Sequence, residues 1–473
     1  MINNFWLNRG GQLWLPQWVS GFVLLALLLM TRLSQADLVL EVTQGNDKLT
    51  TVAVSPFAWS GNALLPEDLA GIVSNDLTLS GLFTSLPRSN MLSFPSEASE
   101  VVYRDWKVLG AAYLVTGRVD KVGQTYTVRF SLFDIVRQHS ILSGEVKGVE
   151  SQLRGVAHAV SDAVYKKITG TEGDFSTRLL YITANMTEPA KEVVKGKETI
   201  NVPPVFDYQL KYADADGKRV RTIFRSKEPI LSPSWSPDGT KVAYVSFESG
   251  RSAIYIQDLA TGNRRQVTNF EGINSSPAWS PDGKKLALVL SKSGNPEIYI
   301  LDLATNKLSQ ITDHFSIDTE PAWVPDGKSI IFTSNRGGSA QIYELGIVTK
   351  GSGLYAADGE PHRLTYVGKF NARGKVFPDG KSIALVHKGE ASNDFNIGVL
   401  NLETGRLRLL TASTLEDSPS IAPGGRRIIY SAPGKEHGEL GIVSLDGRVK
   451  YRLPSAVGDV REPVWGPSMN PGR

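Results

Sequence analysis

Beyond residue 170, apolar residues come in short, almost unbroken runs: "KVAYVSF", "KLALVLS", "SIIFTSN", "SIALVHK" and "RRIIYSA". Each is followed by a second run, "AIYIQDL", "EIYILDL", "QIYELGI", "NIGVLNL" or "ELGIVSL". A more polar stretch then ends near "QVT", "QIT", "RLT", "LLT" or "RLP". Runs this short, rich in β-branched and aromatic residues and bounded by Gly and Asp, predict strands. Their apolar positions do not alternate, which implies strands buried on both faces.

The stretch "SPSWSPDGTKVAYVSF" shows how each period begins. Pro presets φ for the second position of a turn, Asp tolerates the next, and Gly accepts positive φ, so Pro-Asp-Gly predicts a hairpin turn. The residue before that turn recurs at Trp235, Trp279, Trp323, Val376, Ile421 and Trp465, in steps of 44, 44, 53, 45 and 44 residues. The long step contains "TKGSGLYAADGEPH" (349–362), which reads as a loop insertion. Four strands per period, buried on both faces, predict a β-propeller.

The ends of the repeat supply a test. Almost nothing follows Trp465, so its blade lacks three strands. "TRLLYITAN" (177–185) and "FDYQLKYADADGKRVRTIF" (206–224) supply them at the other end. Six anchors therefore predict six blades, with the C-terminal strand closing the ring onto the first repeat. The tryptophans are expected to pack between blades as core, stabilising the ring by burial.

Residues 37–170 lack the repeat. "LPEDLAGIVSNDLTLSGLF" predicts a helix with Pro66, Glu67 and Asp68 at its start, Leu69, Ile72, Val73 and Leu77 on one face, and Gly81 at its stop. "SQLRGVAHAVSDAVYKKITG" repeats the logic with Leu153, Val156, Val160 and Val164, ending at Gly170. Four strand-like runs, "TTVAVSPF", "AAYLVTGRVDKV", "QTYTVRFSLFD" and "SILSGEVKG", lie around these helices and give a small α/β domain. The junction is expected at 171–178, and the propeller domain is assigned to 171–473.

Composition adds a compartment. "VSGFVLLALLLM" (19–30) is too short to span a bilayer, Arg9 precedes it, and "TRLSQA" supplies small residues for cleavage after Ala36. Residues 1–36 therefore read as a secretory signal peptide. No Cys stands at the cleavage point, so a lipoprotein is excluded, and no second long apolar segment follows, so the exported chain is expected to be soluble. The chain has no cysteine at all, which rules out disulfides and thiolate chemistry. Its net charge of +3, without a basic stripe, gives no reason to expect nucleic acid.

The motifs of catalysis are missing. There is no G-x-S-x-G, no H-E-x-x-H, no P-loop and no G-x-G-x-x-G. His139, His158, His314, His362, His387 and His437 never fall at metal-ligand spacing. The acid pairs Asp318/Glu320 and Glu416/Asp417 precede anchors and read as solvated loops. The expectation is no enzyme, no cofactor and no metal site.

Taken together, "PFAWSG…PEDLAGIVSNDLTLSGLF", "SPSWSPDGTKVAYVSFESGRSAIYIQDLATG", "SSPAWSPDGKKLALVLSKSGNPEIYILDLAT" and "TEPAWVPDG" resemble the TolB family, periplasmic components of the Tol-Pal system. The resemblance covers nearly all of the chain after the signal peptide, with Val376 and Ile421 departing from the Trp pattern. It implies a periplasmic protein-binding scaffold serving outer-membrane integrity and constriction at cell division. The propeller mouth would bind the lipoprotein Pal, and the N-terminal segment the C-terminal domain of TolA, or fold back onto the protein. Other outer-membrane proteins stand as a further partner class, and association with the membrane runs only through partners.

Carried to this sequence, the TolA segment is 37–48, with Asp37, Leu38, Val39, Leu40, Glu41 and Val42 as its strand-like part, suited to edge pairing. The Pal face is expected in loops before the anchors: Ile273, Asn274, Ser276, Thr319, Glu320 and Glu462. The alternative function is a periplasmic propeller enzyme or small-ligand binder using the central channel.

Overall fold

A computed structural model describes residues 40–42, 49–195, 198–351, 353–453 and 458–468. The signal peptide assigned to 1–36 lies outside these residues, as do Asp37, Leu38, Val39 and 43–48 of the N-terminal segment.

Six antiparallel sheets of four propeller strands each follow the predicted period. Blade 1 is split. Its inner strand is Asp459–Ser468, and its other three are Thr177–Glu188, Val205–Asp214 and Arg221–Ser226. Asp459 pairs with Ala184, Arg461 with Ile182 and Trp465 with Leu179, so the C-terminal strand closes the ring. Blades 2 to 6 have inner strands Ile230–Trp235, Asn274–Trp279, Asp318–Trp323, Phe370–Val376 and Asp417–Ile421. Each inner strand touches the next, and the sixth touches that of blade 1. A six-membered circle results.

The anchor residues pack as the repeat predicts. Trp235 sits in a cluster with Leu180, Ile182 and Leu210 of blade 1, and Trp323 with Ala287 and Val289 of blade 3. Val376 lies against Ala322, Ile331 and Ile342 of blade 4. Each anchor thus fills the wedge behind its own blade, and the buried second strands, "KVAYVS" for example, supply the opposite wall.

Two details differ from the sequence reading. The insertion at 349–362 is not a loop: Gln341–Gly351 and Leu354–Arg363 form one long hairpin. Its outer strand folds over blade 3, where Tyr355 donates its backbone N–H to Ser309 Oγ at 3.0 Å and its hydroxyl to Asp302 Oδ2 at 3.0 Å. The acid pairs are not solvated loops either. Asp318 and Glu416 are buried, and Arg336 Nη2 donates to Asp318 Oδ2 at 2.6 Å.

The α/β domain is a mixed sheet ordered Phe83–Ser85, Thr50–Val54, Tyr113–Val122, Thr125–Asp134, His139–Val149, with Ala58–Trp59 alongside. Helices α1 (Leu69–Leu79) and α3 (Leu153–Thr169) cover one face, and the short α2 (Tyr103–Val108) covers the other. Strand alternation divides the cores: Val52 and Val54 face α1 and α3, while Ala53 faces Trp106 of α2. Asp68 caps α1 rather than entering its first turn, accepting Gly71 N at 3.0 Å. Gly170 ends α3 at φ +75°.

This domain rests on blades 1 and 6 at the side of the Pro-Asp-Gly turns. Asp174, after α3, takes a buried ion pair from Arg427 of blade 6. Arg154 of α3 pairs with Asp216 in a turn of blade 1 and lies 3.4 Å from Glu67. Fixed charges buried this way are costly unless every partner is present, so they specify one docking geometry.

Candidate functional site

The inner strands share a feature that the sequence does not announce. Three residues before each anchor the backbone turns left-handed: Ser232 (φ 50°), Ser276 (51°), Glu320 (56°), Arg373 (55°), Ser418 (54°) and Glu462 (48°). None is glycine, and all but Arg373 precede proline, which disfavours helical conformations before it. Strain of this kind costs roughly 1–3 kcal/mol per residue and persists only where surrounding structure holds it. The ladder register breaks here in every blade, between Leu231 and Ser234 in blade 2 and between Thr319 and Ala322 in blade 4, for example.

The break is a bulge that re-aims the strand. Pro233 and Trp235 turn inward between blades while Ser232 and Ser234 stay half-buried beside the channel. Six such bulges line a cavity of about 470 Å³ with two serines, a glutamate, an arginine, a serine and a glutamate in order around the ring. Neighbouring blades lock through it. Arg373 N donates to Glu320 Oε2 at 2.9 Å, Arg373 Nε lies 3.0 Å from Asp417 Oδ1, and Ser232 N donates to Glu462 Oε2. Burial raises the Glu462 carboxyl above its ordinary range, against the pull of Arg373. Burial, with Arg373 beside it, lowers the Lys375 ammonium, and Glu320 only partly offsets this.

At the mouth above this ring, the loops entering the inner strands carry exposed apolar side chains. They are Phe270, Ile273, Phe315, Ile317, Tyr366, Val367 and Leu415. Phe315 is 88% exposed and stacks on His314 with ring centroids 4.2 Å apart. Scattered exposed apolar residues are ordinary, but a run of them on four successive loops around one opening marks an interaction surface.

The expected Pal-face residues fall into three groups. Ile273 is exposed at the mouth. Ser276, Glu320 and Glu462 are bulge residues on the inner strands, not in loops, with half-buried Thr319 next to Glu320. Asn274 is wholly buried, and its side chain ties the loop together by accepting Phe270 N at 3.0 Å and donating to Phe270 O at 2.7 Å. The sequence reading missed Phe270, Phe315, Ile317, Tyr366, Val367, Leu415, Arg373 and Lys375. The available signal was apolar residues standing in otherwise polar loops, as in "DHFSID" and "LTYVGK".

In the N-terminal segment, Leu40–Val42 adds a fifth strand to blade 6, pairing Leu40 with Tyr451, Glu41 with Lys450 and Val42 with Val449. Among the described residues, one histidine–carboxylate group has metal-ligand proximity: His158, Asp214 and Asp216. Arg154 and Arg219 already sit on its carboxylates, so guanidinium groups fill the cation's role.

Fold and site define a six-bladed β-propeller carrying an α/β amino-terminal domain. Residues 38–141 match the TolB amino-terminal domain, and residues 165–469 match the TolB beta propeller domain. The Tol-Pal system protein TolB of Pseudomonas aeruginosa is 50% identical over 447 residues, spanning 94% of this chain and 98% of that protein. Its counterpart in Pseudomonas fluorescens (strain SBW25) is 48% identical over 429 residues, 91% and 94% of the two chains. The crystal structure of TolB from Acinetobacter baumannii covers 91% of this chain and 100% of its own, at 39% identity and a TM-score of 0.78. The chain belongs to the TolB family of the Tol-Pal system.

Proposed function

We propose that the chain is a periplasmic, non-enzymatic scaffold of the Tol-Pal system. Its propeller mouth binds Pal and its N-terminal segment binds the C-terminal domain of TolA, linking the two for outer-membrane integrity and constriction at division. The observation that carries this reading is the exposed apolar arc from Phe270 to Leu415 above a ring containing Glu320 and Glu462. A set of exposed apolar side chains bordered by polar groups marks a protein interaction site.

Supporting points lie elsewhere in the chain. In the channel, Glu320, Arg373 and Asp417 are committed to one another across blades. Among the described residues, no helix is long and apolar enough to cross a membrane. The strand at Leu40–Val42 is held by three residue pairs, few enough for a partner's edge to compete.

Titration of purified Pal onto the full chain tests the reading. Saturable binding is expected, weakened at least tenfold by Ile273→Asp or Thr319→Arg, with melting temperature unchanged. No binding, or binding indifferent to both substitutions, refutes the assignment of this mouth.

A further inference from the structure

Where α3 of the amino-terminal domain meets blade 1, a cleft of about 290 Å³ opens between the start of the helix and the strands Thr177–Glu188 and Val205–Asp214. Lys147, Arg178, Arg219 and Arg221 stand in its walls against one carboxylate, Asp214. That carboxylate is spent: Arg219 grips it through Nε at 2.7 Å and Nη2 at 3.0 Å, and His158 Nε2 lies 3.8 Å away. Arg178 stacks over Tyr212 at 5.0 Å, and among the described residues neither it nor Arg221 meets a carboxylate. Two cations therefore face the cleft uncompensated.

The floor offers more donors. α3 spans 17 residues, and no side chain caps its first turn, where Gly155 lies open to the cleft. Helix N-termini attract anions through free N–H groups and the helix dipole. One polar side-chain atom of the lining also lies buried there with no ion or hydrogen-bond partner: Ser176 Oγ, on a residue 9% exposed. A buried unpaired donor is costly unless something supplies its acceptor. His158, held charged between Asp76 and Asp214, adds positive charge beneath the cleft without offering a free N–H.

We propose that this cleft binds a phosphate group, free or carried on a larger molecule, gripped by Arg178 and Arg221 at the rim and by Ser176 and the start of α3 at the floor. Guanidinium groups match phosphate oxygens in paired hydrogen bonds, and a tetrahedral anion serves donors arriving from several directions at once. The cleft exceeds what the ion alone requires, and Tyr212, Val146 and Val156 line the surplus. The site is separate from the propeller mouth and does not depend on the partner reading.

Two probes distinguish the sources of phosphate, each applied to the full chain. Calorimetric titration with inorganic phosphate reports a free ion or ester. Flotation with phosphatidylcholine vesicles containing phosphatidic acid reports a lipid headgroup. The Arg178→Ala/Arg221→Ala double variant alters half-buried and exposed positions, so it should fold normally, which circular dichroism checks. Saturable phosphate binding weakened at least tenfold (about 1.4 kcal/mol) in the variant supports the site. So does vesicle binding lost in the variant alone, which identifies the headgroup as source. Ser176→Ala should weaken either signal in the same direction. Absence of binding to both probes, or equal affinity in wild type and double variant, overturns the proposal.

Discussion

Trp465 donates its indole N–H to Thr177 Oγ1 at 2.7 Å, joining residues 288 positions apart. The same tryptophan donates its backbone N–H to Ser420 Oγ of blade 6 at 2.9 Å and packs with Ala422 and Ile429 there. One side chain thus ties the last strand to the first blade and to the last. Non-local closure of this kind must overcome loop entropy before it stabilises anything. Trp465→Ala is expected to destabilise the propeller by about 3–5 kcal/mol, in the range of large aromatic truncations in a core. Thr177→Val should cost less, about 1–3 kcal/mol, because it unpairs both the Trp465 indole N–H and the Asp174 carbonyl to which Thr177 Oγ1 donates. Urea midpoints measure both, and equal midpoints for wild type and Trp465→Ala would show that the ring closes without this residue.

Phe315 separates binding from stability. Its side chain is 88% exposed, so Phe315→Ala removes almost no buried area and should shift the melting temperature little. Aromatic residues at the centre of an interface commonly dominate affinity. The expected result is a loss of about tenfold or more in Pal affinity, about 1.4 kcal/mol, by calorimetry. An unchanged affinity would remove Phe315 from the interface.

The architecture was legible because its determinants are local. Pro-Asp-Gly after a fixed anchor dictates a turn wherever it stands, and a spacing of 44 residues repeats the consequence. Even the closure of blade 1 could be counted from strands missing at one end and present at the other. The hairpin at 349–362 was misread because Gly351 and Gly353 sit at its tip while its flanks pair only in register with Gln341–Gly351. The site was less legible. Glu320 and Glu462 read as loop residues in the sequence, because nothing in "TEPAW" or "REPVW" states that the residue before proline turns left-handed within a strand. Phe315 was passed over because exposure belongs to the assembled ring. The pairing of Asp174 with Arg427 spans 253 residues and has no local signature.

Removing the N-terminal segment separates two roles for Leu40–Val42. Its backbone pairs with the outer strand of blade 6, Val449–Leu453, which would otherwise be a free sheet edge. Deletion of 37–48 should leave the propeller folded, lower its stability by no more than about 1–2 kcal/mol, and abolish TolA binding. Circular dichroism and titration of the TolA C-terminal domain check the three outcomes. TolA affinity equal to that of the full chain would move the binding site elsewhere.

The docking of the two domains is expected to depend on pH through His158. It is 2% exposed, with Nδ1 2.8 Å from Asp76 Oδ2 on α1 and Nε2 facing Asp214 of blade 1. Burial, the largest single effect, would lower its pKa, but Asp76, Asp214 and Asp216 together outweigh it and carry the imidazole from 6.5 up to about 10. A raised value in the folded state means the stabilisation is complete below about pH 6.5 and is lost progressively as pH climbs to about 10. Asp162, raised by burial to about 6, loses its own contribution with rising pH between 3.8 and 6, so it leaves the alkaline window to His158. His158→Gln should be less stable than wild type at neutral pH by a few kcal/mol, the order expected of a buried paired charge. The difference should shrink steadily toward pH 10, where wild type has surrendered the proton as well. Thermal melts of both proteins at matched ionic strength decide the matter: converging curves support the imidazolium bridge, and parallel curves refute it.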